Sequence, residues 1–150
     1  MKKYIGCFLL SFFFSSLFLN FSYAENCVPT QTEGFSAILS ADINNQPADT
    51  DIPSWTTANP GSFNTGNFNV NTGVYTAPAN GIYIVASSAA AGGDLYIALN
   101  NTKVATASMT ETPVPFIMHL NQNDTVSLRL DLTAFVGSGV NTYFSIFKMR

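Results

Sequence analysis

Three aspartates, Asp42, Asp49 and Asp51, lie in one polar loop that spans residues 40–53, and they are the first candidates for chemistry in this chain. Hard cations prefer several oxygen ligands, so carboxylates grouped in a loop suggest a calcium site. Their spacing matches no EF-hand template, and an ordinary solvated loop has the same composition. The sequence leaves both interpretations open, and the missing template favours the solvated loop.

Side chains for acid–base and nucleophilic catalysis are sparse. His119 is the only histidine, and it lies beside Ile117 in a segment that reads as a strand. A catalytic base needs an orienting partner and a nucleophile, and no serine occupies a Gly-x-Ser-x-Gly turn. One histidine and two cysteines are too few for a histidine-based metal centre. The sequence therefore predicts no catalytic residue and no cofactor, with calcium as the one open possibility.

The first 24 residues have the three parts of a secretory signal peptide. Lys2 and Lys3 form a positive start, residues 5–21 are mostly apolar, and Ser22-Tyr23-Ala24 is a small-residue cleavage site. The alternative is a membrane anchor, but the apolar run is short and is interrupted by serines and an asparagine. We therefore predict cleavage after Ala24 and a secreted mature chain, residues 25–150, without a membrane span.

The mature chain has the length of one domain, residues 35–150, preceded by a short polar tail, residues 25–34. Loss of the two leader lysines lowers the formal net charge from −3 to −5. The few remaining basic residues are scattered, which argues against nucleic acid as a partner. Cys27 is then the only cysteine, so it is either a free thiol in the tail or an intermolecular disulfide.

Alternating apolar and polar residues predict many short β-strands and no helix. Residues 125–132 alternate most clearly, and we predict that they form a hairpin with residues 114–120. Residues 95–99 and 103–108 predict a second hairpin, with Asn100-Asn101 at its turn. Short strands separated by glycine-rich turns are typical of an all-β sandwich.

The centre of the domain carries a distinctive pattern, Thr-Gly-x-Tyr-Thr-x-Pro-x-x-Gly-Ile-Tyr, over residues 72–83. This pattern closely resembles the signature of the C1q globular domain family, which is related in fold to tumour necrosis factor. The resemblance extends in order and spacing over residues 34–150. The positions that match the family's signature and core are Phe35, Trp55, Phe63, Phe68, Gly73, Tyr75, Pro78, Gly81, Tyr83, Phe144 and Phe147.

The resemblance implies a jelly-roll sandwich of about ten short antiparallel strands, which acts as a non-enzymatic, multivalent recognition module. It also implies a homotrimer, because the family packs three such domains around an axis. Its ligand would be a protein or a carbohydrate of unknown identity. An adhesin-type or carbohydrate-binding sandwich is the first alternative, and a secreted hydrolase on a β-sandwich is the second.

The predicted strands that contain Tyr83 and Phe144 carry more apolar side chains than one sandwich face requires. A sheet whose two faces are both apolar is usually covered on both sides. The second cover of a small domain is often another subunit, so the sequence suggests Tyr83, Tyr143, Phe144 and Ile146 as trimer-interface residues. The alternative is that these side chains fill the core of a single chain.

Overall fold

The computed structural model describes residues 33–106 and 115–149. The predicted signal peptide, Cys27 and most of the predicted tail lie outside the described residues. All regular elements that the structure describes are β-strands, so none of these residues forms a helix that could cross a membrane. The strands, in chain order, are β1 (Gly34–Leu39), β2 (Ile43–Gln46), β3 (Trp55–Thr56), β4 (Phe63–Asn64), β5 (Phe68–Asn69), β6 (Val74–Thr76), β7 (Gly81–Ser88), β8 (Ala90–Ala91), β9 (Leu95–Leu99), β10 (Thr102–Thr106), β11 (Phe116–Leu120), β12 (Thr125–Leu130), β13 (Ala134–Gly137) and β14 (Gly139–Lys148).

Two larger sheets form a sandwich. The first has the order β11-β7-β14-β1-β3, with β4 also paired to β1, and the second has the order β10-β9-β12-β6-β5. A small third sheet joins β2, β13 and β8. Strand pairing is antiparallel throughout. This architecture confirms the predicted all-β jelly roll, and its strand count exceeds ten because several loop segments form strands of two residues.

Aromatic side chains from both sheets meet in the core between them. Phe35 on β1 stacks on Phe68 on β5, with ring centroids 3.7 Å apart and planes 2° apart. Phe144 on β14 meets the Phe35 ring edge-on at 4.9 Å, and Tyr75 on β6 lies 5.5 Å from the same ring. Phe35, Tyr75 and Phe144 are fully buried, so this cluster holds the two sheets together by apolar contacts.

One predicted hairpin is confirmed and the other is wrong. β9 and β10 pair around Asn100 and Asn101, whose φ values of 48° and 68° are those that a two-residue hairpin turn requires. β11 instead pairs with β7, whereas β12 pairs with β9 and β6. The connection over residues 121–124 therefore carries the chain from one sheet to the other. Alternation identifies a strand with one buried face, but it does not identify the partner.

The chain after β12 is more ordered than the sequence predicts. The sequence of residues 133–139 predicts a loop that exposes Phe135 and Val136, but these residues contain β13. Phe135 is exposed as expected, whereas Val136 is fully buried because it pairs with both β2 and β8. The expectation for Val136 is therefore wrong.

Candidate functional site

The three aspartates of the acidic loop contact different parts of the protein. Asp42 accepts hydrogen bonds from the amide and hydroxyl of Ser138, both at 2.7 Å, and these bonds lower the pKa of its carboxyl group. Asp49 accepts a hydrogen bond from the Tyr96 hydroxyl at 2.7 Å. Within the described ranges, no three His, Cys, Asp or Glu side chains are grouped as a metal site requires. Asp42, Asp49 and Asp51 therefore contact separate partners and are not grouped as ligands of one cation among the described residues.

Residues 49–52 lie beside β12, on the same side as β6, and continue the second sheet past the point where the pairing of β6 with β12 ends. The amides of Asp49 and Ile52 donate to the carbonyl oxygens of Leu130 and Leu128, at 2.9 and 3.0 Å. Ile52 is fully buried, so its side chain anchors this segment in the core. The alternation of side chains along the segment then turns Asp51 toward the outer surface of β12.

Asp51 is the centre of a polar network on that outer surface. Its Oδ1 accepts hydrogen bonds from Ser127 Oγ and Arg129 Nε, both at 2.6 Å. Arg129 Nη2 donates to Asn101 Oδ1, also at 2.6 Å, so the guanidinium group has partners on two sides. The Arg129 side chain is only 12% exposed, and a charge-assisted network in such a setting holds the carboxylate in one orientation.

An open cleft of about 570 Å³ lies beside this network, on the outer face of the second sheet. It is lined by Asp51, Gly66, Asn67, Asn69, Thr72, Val74 and Thr76. The turn between β5 and β6 shapes one wall, because Asn69 Oδ1 accepts hydrogen bonds from the amides of Asn71 and Thr72 at 3.0 and 3.3 Å. The sequence indicates Asp51 as a candidate cation ligand, whereas the remaining cleft residues carry no motif that would identify them.

Most of the signature positions lie in the core. Phe35, Tyr75, Tyr83 and Phe144 are fully buried, and Trp55 and Phe68 are each 4% exposed. Pro78 is half-buried at the corner that takes the chain from the second sheet to the first.

The two signature glycines differ in their backbone. Gly73 has φ +72°, in the left-handed region that favours glycine. The turn over residues 78–81 predicts either a positive φ or tight packing at Gly81, and the φ of Gly81 is not positive. A Cβ atom at Gly81 would lie within 2.8 Å of Lys148 Cε, the flexible end of a side chain.

Phe63 and Phe147 lie on the outer face of the first sheet and not in the core. Phe63 pairs with Ser36, whose neighbour Phe35 points inward, and its ring centroid lies 5.5 Å from that of Phe147. Both rings are half-buried. The expectation that Phe63 docks into the sandwich core is therefore wrong, because its strand presents the opposite face.

Three of the four predicted interface residues cannot contact another subunit. Tyr83, Phe144 and Ile146 have no exposed surface within a single chain, so they belong to the core and the prediction for them is wrong. Tyr143 alternates with Phe144 and is half-buried on the outer face. β7 and β14 are apolar on both faces, as the sequence indicates. The side chains that point outward, however, are those next in sequence to the predicted interface residues.

The outer face of the first sheet is apolar at one end and carries small side chains, among them Ser36, Ala86 and Ser145, toward its middle. Ile117, Ile84 and Phe147 lie side by side on β11, β7 and β14, and Ile82 pairs with His119 in the next row. Ile117 is 62% exposed and Ile82 is 48% exposed. The outward-facing side chains that the structure describes on β11, β7, β14 and β1 include no Asp, Glu, Lys or Arg. We call this surface the apolar face.

Comparison with known proteins finds the fold and no sequence family. No family model and no curated protein matches the chain. Many solved structures match, among them the "Globular Domain of Zebrafish Complement 1qA protein", with a TM-score of 0.52 and 13% sequence identity. The match covers 80% of this chain and 98% of the zebrafish chain. The fold is therefore a jelly-roll sandwich of the C1q type.

Proposed function

We propose that this chain is a secreted, non-enzymatic recognition module of the C1q type that acts as a homotrimer. The observation that supports it most is the apolar face, which is uncharged and lies on the same sheet that provides half of the core. Large apolar patches on soluble domains generally mark interaction surfaces. The resemblance of the sequence to the C1q family implies that the cover is a symmetric assembly of three copies.

The apolar face has the shape and chemistry of a self-association surface. Exposed Ile82, Ile117 and Met149 surround the half-buried Ile84 and Phe147 at one end of the sheet. The middle of the face carries only small side chains, which would let another subunit approach closely. Closed rotational symmetry then removes this surface from water without leaving an open end for further growth.

Recognition would use the remaining surfaces, and we propose a protein or carbohydrate ligand. The outer face of the second sheet points away from the apolar face, so trimer formation would leave it accessible in every copy. A glycoside hydrolase would require a second carboxylate across the cleft from Asp51. Asp51 is the only acidic residue that lines the cleft, and its Oδ1 is already paired with Arg129.

Light scattering of the exported protein under reducing conditions tests the assembly. We expect the mass of three chains at micromolar concentration, and reducing agent excludes any contribution from Cys27. A stable soluble monomer would contradict the proposal. Mass spectrometry of the same sample tests secretion, since cleavage after Ala24 places Glu25 at the N-terminus, whereas a retained Met1 would contradict it.

A further inference from the structure

The cleft beside Asp51 presents a set of hydrogen-bonding side chains that the fold does not use. Among the described residues, Oδ2 of Asp51 has no hydrogen-bond donor, whereas Oδ1 accepts two. The Thr72 and Thr76 hydroxyls have no partner within the described ranges, and Asn69 uses only its Oδ1. Thr76 and Asn69 are exposed, so these groups are available to a ligand.

The negative charge of the cleft excludes an anionic ligand. Arg129 is the only cation in the network beside the cleft, and Asp51 and Asn101 already engage its guanidinium group. The lining itself adds a carboxylate and no basic side chain. A phosphate, sulfate or carboxylate ligand would therefore meet net repulsion at this position.

The shape and apolar content of the cleft exclude two further classes of ligand. No aromatic side chain lines it, so a nucleobase would have nothing on which to stack. Val74 is the only large apolar side chain in the lining, which is too little surface for a hydrophobic ligand. The volume of about 570 Å³ lies within the range of small-molecule sites.

We propose that this cleft binds a neutral saccharide, an inference that rests on the proposed recognition function and names its ligand class. Oδ2 of Asp51 would accept hydrogen bonds from sugar hydroxyls. The carboxylate is held in one orientation for this role because Ser127 and Arg129 bind its Oδ1. The side-chain amide of Asn69 would donate to ring or hydroxyl oxygens, as would the second amide hydrogen of Asn67, whose Nδ2 also donates to Thr65 Oγ1 at 3.5 Å. The Thr72 and Thr76 hydroxyls can each donate and accept a hydrogen bond, so the cleft matches the alternating donors and acceptors of a neutral sugar.

Chemical-shift mapping of the full exported chain tests the site directly. The probes are mannose, galactose, N-acetylglucosamine and their short oligomers, with sialylated and sulfated oligosaccharides as the comparison. We expect a neutral sugar to shift the amides of residues 66–76 and of Asp51. Binding of anionic glycans only, binding at another surface, or no binding by any sugar of the panel would overturn the proposal.

Threonine-to-valine variants test the contacts without disturbing the fold, because valine has nearly the same shape as threonine. Thr76→Val should weaken the binding of the neutral sugar by about two- to ten-fold, the loss expected for one hydrogen bond. Thr106→Val is the matched control, since Thr106 is exposed at the opposite edge of the same sheet. Equal affinity of the Thr76→Val variant and the wild type would overturn the assignment.

The two proposals fail independently. Chemical shifts report binding by each subunit, whether the protein is a monomer or a trimer. A monomer that binds a neutral sugar in the cleft would contradict the assembly and support the site. A trimer that ignores every sugar of the panel would support the assembly and overturn the site.

Discussion

The indole nitrogen of Trp55 donates a hydrogen bond to the carbonyl oxygen of Ile52 over 2.6 Å, inside the core. Gly73 lies against both groups, and its amide donates to the carbonyl oxygen of Asn69 at 2.8 Å. This contact therefore joins three parts of the chain: β3, the segment that presents Asp51, and the turn that forms a wall of the cleft. Glycine is required at position 73 because the backbone has a positive φ there and because there is no space for a side chain.

Gly73→Ala should be strongly destabilising. A Cβ atom at this position would collide with the Ile52 carbonyl oxygen and lie 2.7 Å from Trp55 Nε1, at a φ that alanine disfavours. We expect a loss of about 2–4 kcal/mol in the free energy of unfolding, since the strain alone costs about 1–3 kcal/mol. Denaturant unfolding measures the loss.

Two other glycines serve as controls for this substitution. Gly61 also has a positive φ, of 86°, but a Cβ atom there would meet nothing within 4 Å, so Gly61→Ala isolates the backbone strain. Gly81 has an ordinary φ and only the Lys148 side chain nearby, so Gly81→Ala should cost less than about 1 kcal/mol. Equal losses at Gly73 and Gly61 would contradict the role assigned to the Trp55–Ile52 contact.

The buried hydroxyl of Tyr75 should make the domain sensitive to alkaline pH. Burial, with smaller contributions from Tyr83 and Glu33, raises the pKa of Tyr75 above its ordinary value of 10. The folded state then retains a proton that the unfolded state loses, so stability is complete below pH 10 and falls as pH rises further. Tyr75→Phe should reduce this alkaline loss, as measured by denaturant unfolding across the pH range.

Tyr83→Phe provides the matched control at neutral pH. The Tyr83 hydroxyl donates to the carbonyl oxygen of Ala79 at 2.7 Å, whereas the Tyr75 hydroxyl is buried without a partner in the described structure. We expect Tyr83→Phe to cost about 1 kcal/mol at neutral pH and Tyr75→Phe to cost less. The reverse order would show that Tyr75 has a hydrogen bond of its own.

Lysine substitutions on the apolar face should separate the subunits and leave each chain folded. Ile117→Lys and Ile82→Lys introduce charges at positions that are solvent-exposed in one chain and would be buried in a trimer. Light scattering should show monomers with a wild-type circular dichroism spectrum. Val104→Lys, on the second sheet and 38% exposed, is the control that should remain a trimer. Trimers of all three variants would show that another surface mediates assembly.

Acidic substitutions on the inner face of the same sheet should have a different effect. Tyr83→Asp and Phe144→Asp would each bury an unpaired carboxylate in the core, because both side chains are fully buried. We expect a loss of about 4 kcal/mol or more, and hence unfolding and not dissociation into folded monomers. A folded monomer of either variant would contradict the assignment of these residues to the core.

Calcium should leave the thermal stability of the domain unchanged. Asp42, Asp49 and Asp51 each bind a separate group of the protein, and Asp51 already has Arg129 as its counter-ion. Thermal unfolding with millimolar calcium and with a chelator measures the effect. A rise in the melting temperature with calcium, abolished by Asp51→Asn, would show that a cation displaces these contacts.

Several strands and many core residues can be predicted from the sequence alone. Alternation locates β12, and the turn chemistry of Asn100-Asn101 locates the β9–β10 hairpin. The signature places Tyr75 in the interior, where it is fully buried. Local pattern is sufficient for these features because the side-chain period of a strand and the φ preferences of turn residues are properties of neighbouring residues.

Strand pairing, and which of two apolar faces is the inner one, depend on the tertiary fold. Strands β7 and β14 are apolar on both faces, and a shift of one residue exchanges the inner set, with Tyr83 and Phe144, for the outer set, with Ile82 and Phe147. The cleft likewise joins Asp51 to residues 66–76, which meet only because the segment that carries Asp51 and β6 both pair with β12. Such contacts depend on sheet order, which is set by the packing of the whole domain and not by the sequence of any one strand.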